Sequence, residues 1–191
     1  GIVGSERVFK VLDTDKKITN KGVETLENMS GTISFDNVDF SYKENEWVLK
    51  GLSFKIEAGK LLALVGRTGA GKTSIISVLN RFYEIQNGTI AIDGVNIEDI
   101  TLENLRKNIA LVQQEVFLFS DSILNNITLF DTKITRDKVI LSAKEIGIHD
   151  FINSLPNGYD YVVGERGVTL SAGQRQLISF LRVYVRNPKI L

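Results

Sequence analysis

The sequence contains no cysteine, which excludes disulfides, thiol catalysis and any metal site built on thiolates. A single histidine, His149, leaves no imidazole cluster for a metal and argues against a serine–histidine triad. Charge of either sign is not in excess: 23 Lys plus Arg balance 23 Asp plus Glu, for a net charge of +0. A nucleic acid partner is therefore not expected, since binding a phosphate backbone needs a basic surplus. Long apolar runs are missing as well. Leu61 to Val65 is the longest near the middle of the chain, far short of the roughly 20 residues that cross a bilayer. No cleavable leader is visible at the N-terminus, and the chain reads as soluble. The sequons at Asn28, Asn87 and Asn126 then carry no information. What remains is 191 residues that are 43% hydrophobic and 24% charged, an ordinary globular mixture with enough length for one real core.

Residues 1–12 carry Val8, Val11 and Leu12 at helical spacing, and 13–30 turn polar, so a helix end followed by a linker ordered only where it docks is expected. A start of that kind suggests a piece of something longer. From Thr32 the period becomes two: Ile33 and Phe35, then Leu52, Phe54 and Ile56, predict half-buried strands. Leu61–Val65 is continuous instead, as expected of a parallel strand buried on both faces. Ile75, Val78, Leu79 and Phe82 predict a helix that stops near Asn87-Gly88. Thr89–Ile92 reads as a strand closed by an Asp93-Gly94 hairpin turn. Thr101 caps a short helix through Lys107, and Ile109–Val112 reads as a further buried strand. Beyond Ser120 the pattern is helical, with caps at Thr135 and Ser171, a stop at Gly147 and a last helix running to Asn187.

Between the apolar run and the first helix, Gly66-Arg67-Thr68-Gly69-Ala70-Gly71-Lys72-Thr73 fits G-x-x-x-x-G-K-[ST] in full. Glycines let successive N–H groups curl inward around an anion, and the following helix adds its positive end. Lys72 supplies a mobile cation for β- and γ-phosphates, and the Thr73 hydroxyl a ligand for Mg²⁺. About a hundred residues on, Ser171 and Gln174 form an S-x-x-Q capping box that would open a helix N-terminus beside the Gly173 amide.

Leu170-Ser171-Ala172-Gly173-Gln174-Arg175-Gln176 resembles the LSGGQ signature of the ATP-binding cassette (ABC) family, with Ala172 in place of the first glycine. Ile109 to Phe119 resembles that family's Q-loop, Gln114 standing at the glutamine. Phe40-Ser41-Tyr42 resembles its aromatic loop, and Gly164-Glu165-Arg166-Gly167 resembles the GERG stretch of its exporter branch, with Tyr161-Val162 where Thr-Glu is usual. The resemblance spans about Thr32 to Leu191. It implies an α/β fold: a P-loop NTPase (RecA-like) core with an antiparallel β-subdomain and an α-helical signature subdomain, lacking the C-terminal part of the core. The expected division is a helix end and linker over 1–30, the β-subdomain and P-loop core over 31–115, the helical subdomain over 116–188 and the start of a truncated Walker B strand at 189–191.

By the same resemblance, Tyr42 would stack on adenine, and Gly66 to Thr73 with Ser74 and Gln114 would bind ATP. Thr73 and Gln114 would hold Mg²⁺. Ser171, Ala172, Gly173 and Gln174 would reach the γ-phosphate held by a second nucleotide-binding domain, identical or paralogous. The implied function is ATP binding, head-to-tail dimerisation and, in an intact parent, hydrolysis that drives an exporter's transmembrane domain from the cytoplasmic face of a membrane. The alternative is a regulatory module with a degenerate, non-hydrolysing site. No catalytic residue is assigned within the chain, because Walker B and the switch histidine are not in it. Ile90-Ala91-Ile92-Asp93 reads as a hairpin arm rather than a Walker B, and His149 as a satisfied or solvent-facing residue.

Overall fold

In a computed structural model, Phe9, Ile18 and residues 21–164 and 169–191 are described. The expected helix over 1–12, apart from Phe9, and Glu165, Arg166 and Gly167 of the Gly164–Gly167 stretch thus lie outside the described residues. The chain divides between Arg106 and Lys107 into two compact units.

The first unit is built on one antiparallel sheet. Strands β1 (Ile33–Ser41), β2 (Trp47–Ile56), β3 (Asn87–Ile92) and β4 (Val95–Asn96) lie in the order β2-β1-β3-β4. Alternation dictates which face is buried: Ile33, Phe35, Val38 and Phe40 of β1 turn inward with Ile90 and Ile92 of β3. Each such aliphatic side chain contributes roughly 1.5–3 kcal/mol when fully buried. The β3–β4 hairpin turns through Asp93 (φ 52°) and Gly94 (φ 84°), a two-residue turn whose positive φ values match strand twist. Helix α1 spans Lys72–Leu79 and touches β2. Helix α2 (Leu102–Asn108) follows Thr101, whose hydroxyl accepts from the Asn104 amide.

Residues 22–32 do dock, as expected of an ordered stretch of linker. The Val23 and Glu24 amides donate to the Asp99 carbonyl, Thr101 donates to Glu24, and Met29 is buried. Asp93 then gathers the next three residues: its carboxylate accepts from the amides of Ser30 (2.7 Å), Gly31 (3.2 Å) and Thr32 (2.9 Å) and from the Ser30 hydroxyl. Burial acts to raise this carboxyl, but the Ser30 hydroxyl and the three amides outweigh it and hold it below its ordinary 3.8.

Three expectations are corrected in this unit and its neighbour. Leu61–Val65 forms no strand, and Leu61 and Val65 are 97% and 90% exposed. A parallel strand exists only through partners distant in sequence, and no described residue pairs with this segment. Ile109–Val112 likewise is not a strand: only Ile109 bridges, in parallel, to Ile190. Helix α1 ends at Leu79, not near Gly88. Arg81 takes the left-handed position (φ 48°), its amide donating to Val78 and that of Phe82 to Ser77, a Schellman closure. Gly88 is needed for another reason, since a Cβ there would lie 2.4 Å from the Asn37 carbonyl oxygen.

The second unit is helical: α3 (Ile123–Thr128), α4 (Arg136–Glu145), α5 (His149–Asn153), a 3₁₀ turn (Gly158–Asp160) and α6 (Ala172–Tyr184). Its core holds Leu118, Ile123, Val139, Ile152, Ile178 and Leu181. The caps fall where the sequence places them: Thr135 accepts from the Lys138 amide, and Gly147 (φ 75°) follows the end of α4. Helix α6 stops at Tyr184, three residues short of the expected Asn187. Arg182 of α6 and Arg186, two residues past its end, donate to the last carbonyls of α3, at Asn126, Ile127 and Thr128, supplying positive charge where that helix ends. Asn126 is wholly buried, its carboxamide bonded to both backbone groups of Phe119 (2.8 and 2.9 Å) and to the Ser122 carbonyl. His149 shares a 2.9 Å hydrogen bond with the Tyr159 hydroxyl, the first of the two states, satisfied or solvent-facing, expected of it.

Candidate functional site

The phosphate-loop residues fold as an exposed turn into α1. Gly66, Arg67, Thr68, Gly69 and Ala70 are all exposed, and the Ala70 amide donates to the Arg67 carbonyl (3.1 Å). Gly71 is the N-cap of α1 at φ 83°, and no side chain caps the helix, so its first amides are free of side-chain acceptors. Only glycine fits at 71: a Cβ would lie 2.9 Å from Leu49 Cδ2 and 3.1 Å from the Val48 carbonyl oxygen. The loop is thus seated on β2. Lys72 folds back so that its ammonium donates to the carbonyls of Gly66 and Arg67, each at 2.8 Å. The cation is therefore held at the mouth of the loop. Thr73 stands exposed at the first turn, with its hydroxyl reachable by a metal ion.

Ser74, one residue on, is buried and joins the loop to Tyr42: the two hydroxyl oxygens are 3.0 Å apart. Tyr42 leaves the end of β1 half exposed. It meets Phe40 edge-on at 4.8 Å and Tyr83 edge-on at 4.9 Å, at 79° and 89°. Edge contacts of this kind are the favoured aromatic geometry and hold the ring in place. A flat aromatic platform, a free helix N-terminus and a tethered cation thus come together within the first unit.

A nucleoside triphosphate fits this donor set. Uncapped amides, a lysine and an exposed hydroxyl suit phosphate oxygens and a hard cation. Among the described residues no three His, Cys, Asp or Glu side chains cluster as a metal cage. A magnesium ion here would draw on the Thr73 hydroxyl, phosphate oxygens and water.

The remaining expected residues belong to the second unit. Gln114 is exposed in the loop after Ile109. Ser171 caps α6, accepting from the Gln174 amide at 3.2 Å, while Gln174 Oε1 accepts from the Ser171 amide at 2.8 Å. That is the complete capping box expected from the sequence. Ala172 and Gly173 are exposed, with open space where a Gly173 Cβ would stand. Sequence reading missed Tyr83, the ring that braces Tyr42. It also missed Gln86, which accepts from the Ser41 amide (2.8 Å) and donates to the Ser41 carbonyl (3.2 Å). No spacing rule links a glutamine to a serine 45 residues away; only an aromatic directly after Phe82, where the helix periodicity ends, hinted at Tyr83.

The chain is similar in sequence and fold to known proteins. A family model described as ABC transporter matches residues 49–191. An uncharacterized ABC transporter ATP-binding protein of Bacillus subtilis is 43% identical over 192 residues, covering 100% of this chain and 32% of its own length. A Staphylococcus aureus protein bearing the name of a multidrug export ATP-binding/permease protein is 45% identical over 186 residues, covering 96% and 32%. Among solved structures, a bacterial Atm1-family ABC exporter with ATP bound superposes with a TM-score of 0.88 at 38% identity, over 98% of this chain and 33% of that one. The chain spans about a third of the length of the relatives it matches.

Proposed function

The chain belongs to the ABC transporter family, as an ATP-binding domain of exporter type with the P-loop NTPase fold, and from that premise we propose that it binds Mg-ATP through Tyr42 and Gly66–Ser74. Tyr42 stacks on the base, and the α1 amides with Lys72 bind the β- and γ-phosphates. Lys72 gives up the carbonyls of Gly66 and Arg67 for phosphate oxygens. Magnesium would neutralise phosphate charge there, and Thr73 is the residue of this unit proposed to hold it. The observation that carries this reading is the 3.0 Å contact between Tyr42 and Ser74, which ties a base platform to the first turn of a phosphate-binding helix.

The same reading extends to the parent protein. Ser171, Ala172, Gly173 and Gln174 present the α6 N-terminus to the nucleotide of a second such domain, pairing head-to-tail. Hydrolysis then drives an attached transmembrane domain at the cytoplasmic face of a membrane. Among the described residues no helix is long and apolar enough to cross a membrane. The 1–30 segment is proposed as the link to that domain. Hydrolysis needs a general base or water-positioning group. None is assigned within these 191 residues, and turnover is proposed as a property of the parent.

Calorimetric titration with Mg-ATP tests the core of this proposal. Wild type should bind saturably, and Lys72→Ala should bind at least tenfold more weakly. Equal affinities in the two proteins would refute the site.

A further inference from the structure

Past the pair Asp39–Asn87 the ladder between β1 and β3 has ended, yet Ser41 is buried and its backbone still needs partners on that side. One side chain supplies both. The Gln86 carboxamide accepts from the Ser41 amide at 2.8 Å and donates to the Ser41 carbonyl at 3.2 Å, as a peptide unit of a neighbouring strand would. Its own backbone is fixed independently, the Gln86 amide donating to the Asp39 carbonyl at 3.0 Å. On its other edge Ser41 pairs with Trp47 of β2. The residue so bracketed is the one immediately before Tyr42, whose ring then has two remaining restraints, the edge contacts to Phe40 and Tyr83 and the hydroxyl contact to Ser74.

We propose that Gln86 is a positioning residue for nucleotide-base recognition: by pairing with both backbone groups of Ser41 it sets the angle at which Tyr42 presents its face. This rests on the reading of Tyr42 as the base platform. Both hydrogen bonds of the Gln86 carboxamide go to Ser41, and among the described residues none goes to Lys72 or the 66–71 turn. Its effect is therefore specific to the base. Removing it frees the Ser41–Tyr42 backbone, and a ring that must be ordered on binding weakens stacking, while phosphate contacts are untouched. Trp47, the only tryptophan of the chain, lines the same surface hollow as Tyr42 and Gln86 and reports on it by fluorescence.

The experiment compares Mg-ATP with Mg-tripolyphosphate, which offers phosphates and no base, on the full chain carrying Gln86→Ala, Tyr42→Ala or both. Losing a hydrogen-bonded pair of this kind corresponds to about a three- to tenfold change in affinity. Gln86→Ala should weaken Mg-ATP by that factor, leave Mg-tripolyphosphate unchanged, and add nothing in the Tyr42→Ala background. Gln86→Glu, which keeps the acceptor for the Ser41 amide, should fall between. Equal loss for both ligands would mean a general structural role and would overturn the proposal, as would unchanged Mg-ATP binding in Gln86→Ala. Should Tyr42→Ala itself leave Mg-ATP affinity intact, the stacking role of Tyr42 fails, and the proposal with it. Unchanged Mg-ATP binding in Gln86→Ala beside a weakened Tyr42→Ala sinks the positioning role alone.

Discussion

Asp93→Asn isolates one feature of the first unit. Residue 93 sits at φ 52° in the hairpin turn, a conformation asparagine adopts as readily as aspartate, so the turn itself survives. The carboxylate, however, accepts three backbone amides and a hydroxyl from Ser30, Gly31 and Thr32. A neutral carboxamide offers one acceptor atom in place of two and turns an N–H₂ toward donors. Hydrogen bonds to charged groups contribute about 1.5–3 kcal/mol, against about 0.5–1.5 kcal/mol for neutral ones. With Ser30 exposed and able to turn to water, the substitution should cost about 2 kcal/mol in all. For a chain of this length that is a fall in Tm of roughly 4–8 °C.

The pH dependence carries the sharper signature. The folded-state carboxyl of Asp93 is held below its ordinary value of 3.8. Its contribution is therefore complete above that value and lost as pH falls through the folded-state pKa. Thermal unfolding of both proteins from pH 3 to 8 should show a constant gap at neutral pH that closes on acidification. A gap that persists undiminished at pH 3, or no gap at pH 7, would refute the assignment of this carboxylate as the tie for residues 30–32.

Gly71→Ala forces a side chain into left-handed backbone and within 2.9 Å of Leu49 Cδ2; it should cost about 2–4 kcal/mol and lower Tm measurably in calorimetry, and a wild-type Tm would contradict the seating of the loop on β2. Ser171→Ala removes the cap on α6 and should cost about 1 kcal/mol in chemical denaturation, whereas Ser171→Asp restores the cap. In the full-length protein Ser171→Asp should still lose ATP-dependent association, because a carboxylate then faces the partner nucleotide; recovery of both properties would argue against contact between domains at this residue. Asn126→Ala takes the acceptor from the Phe119 amide, while the carbonyls of Phe119 and Ser122 keep the backbone amides of Asp121 and Asn126, and should cost about 2 kcal/mol, read as a lower urea midpoint.

Local features proved legible in the sequence and non-local ones did not. β1, β2 and the Asp93-Gly94 hairpin were predictable because antiparallel neighbours lie close along the chain and alternation marks their buried face. The caps at Thr135 and Ser171 and the stop at Gly147 depend on three or four consecutive residues, and each formed as expected. Leu61–Val65 failed for the opposite reason: its apolar run describes a strand only in the company of parallel partners, and hydrophobicity cannot supply the ladder. The end of α1 was misplaced because a left-handed arginine did what glycine usually does. In the site, the residue types of the phosphate loop and Tyr42 were readable from motif and resemblance. The links between them, Tyr42 to Ser74 and Gln86 to Ser41, span 32 and 45 residues and arise only on folding.

The central claim is that Gly66–Ser74 and Tyr42 form an assembled nucleotide site. Thermal unfolding of the chain with and without Mg-ATP tests it most directly. Ligand at about 100 times its Kd should add about 2.7 kcal/mol to the native state, a rise of roughly 5–10 °C in Tm that vanishes in Lys72→Ala. A transition that ignores Mg-ATP, or one that rises equally in Lys72→Ala, would contradict it.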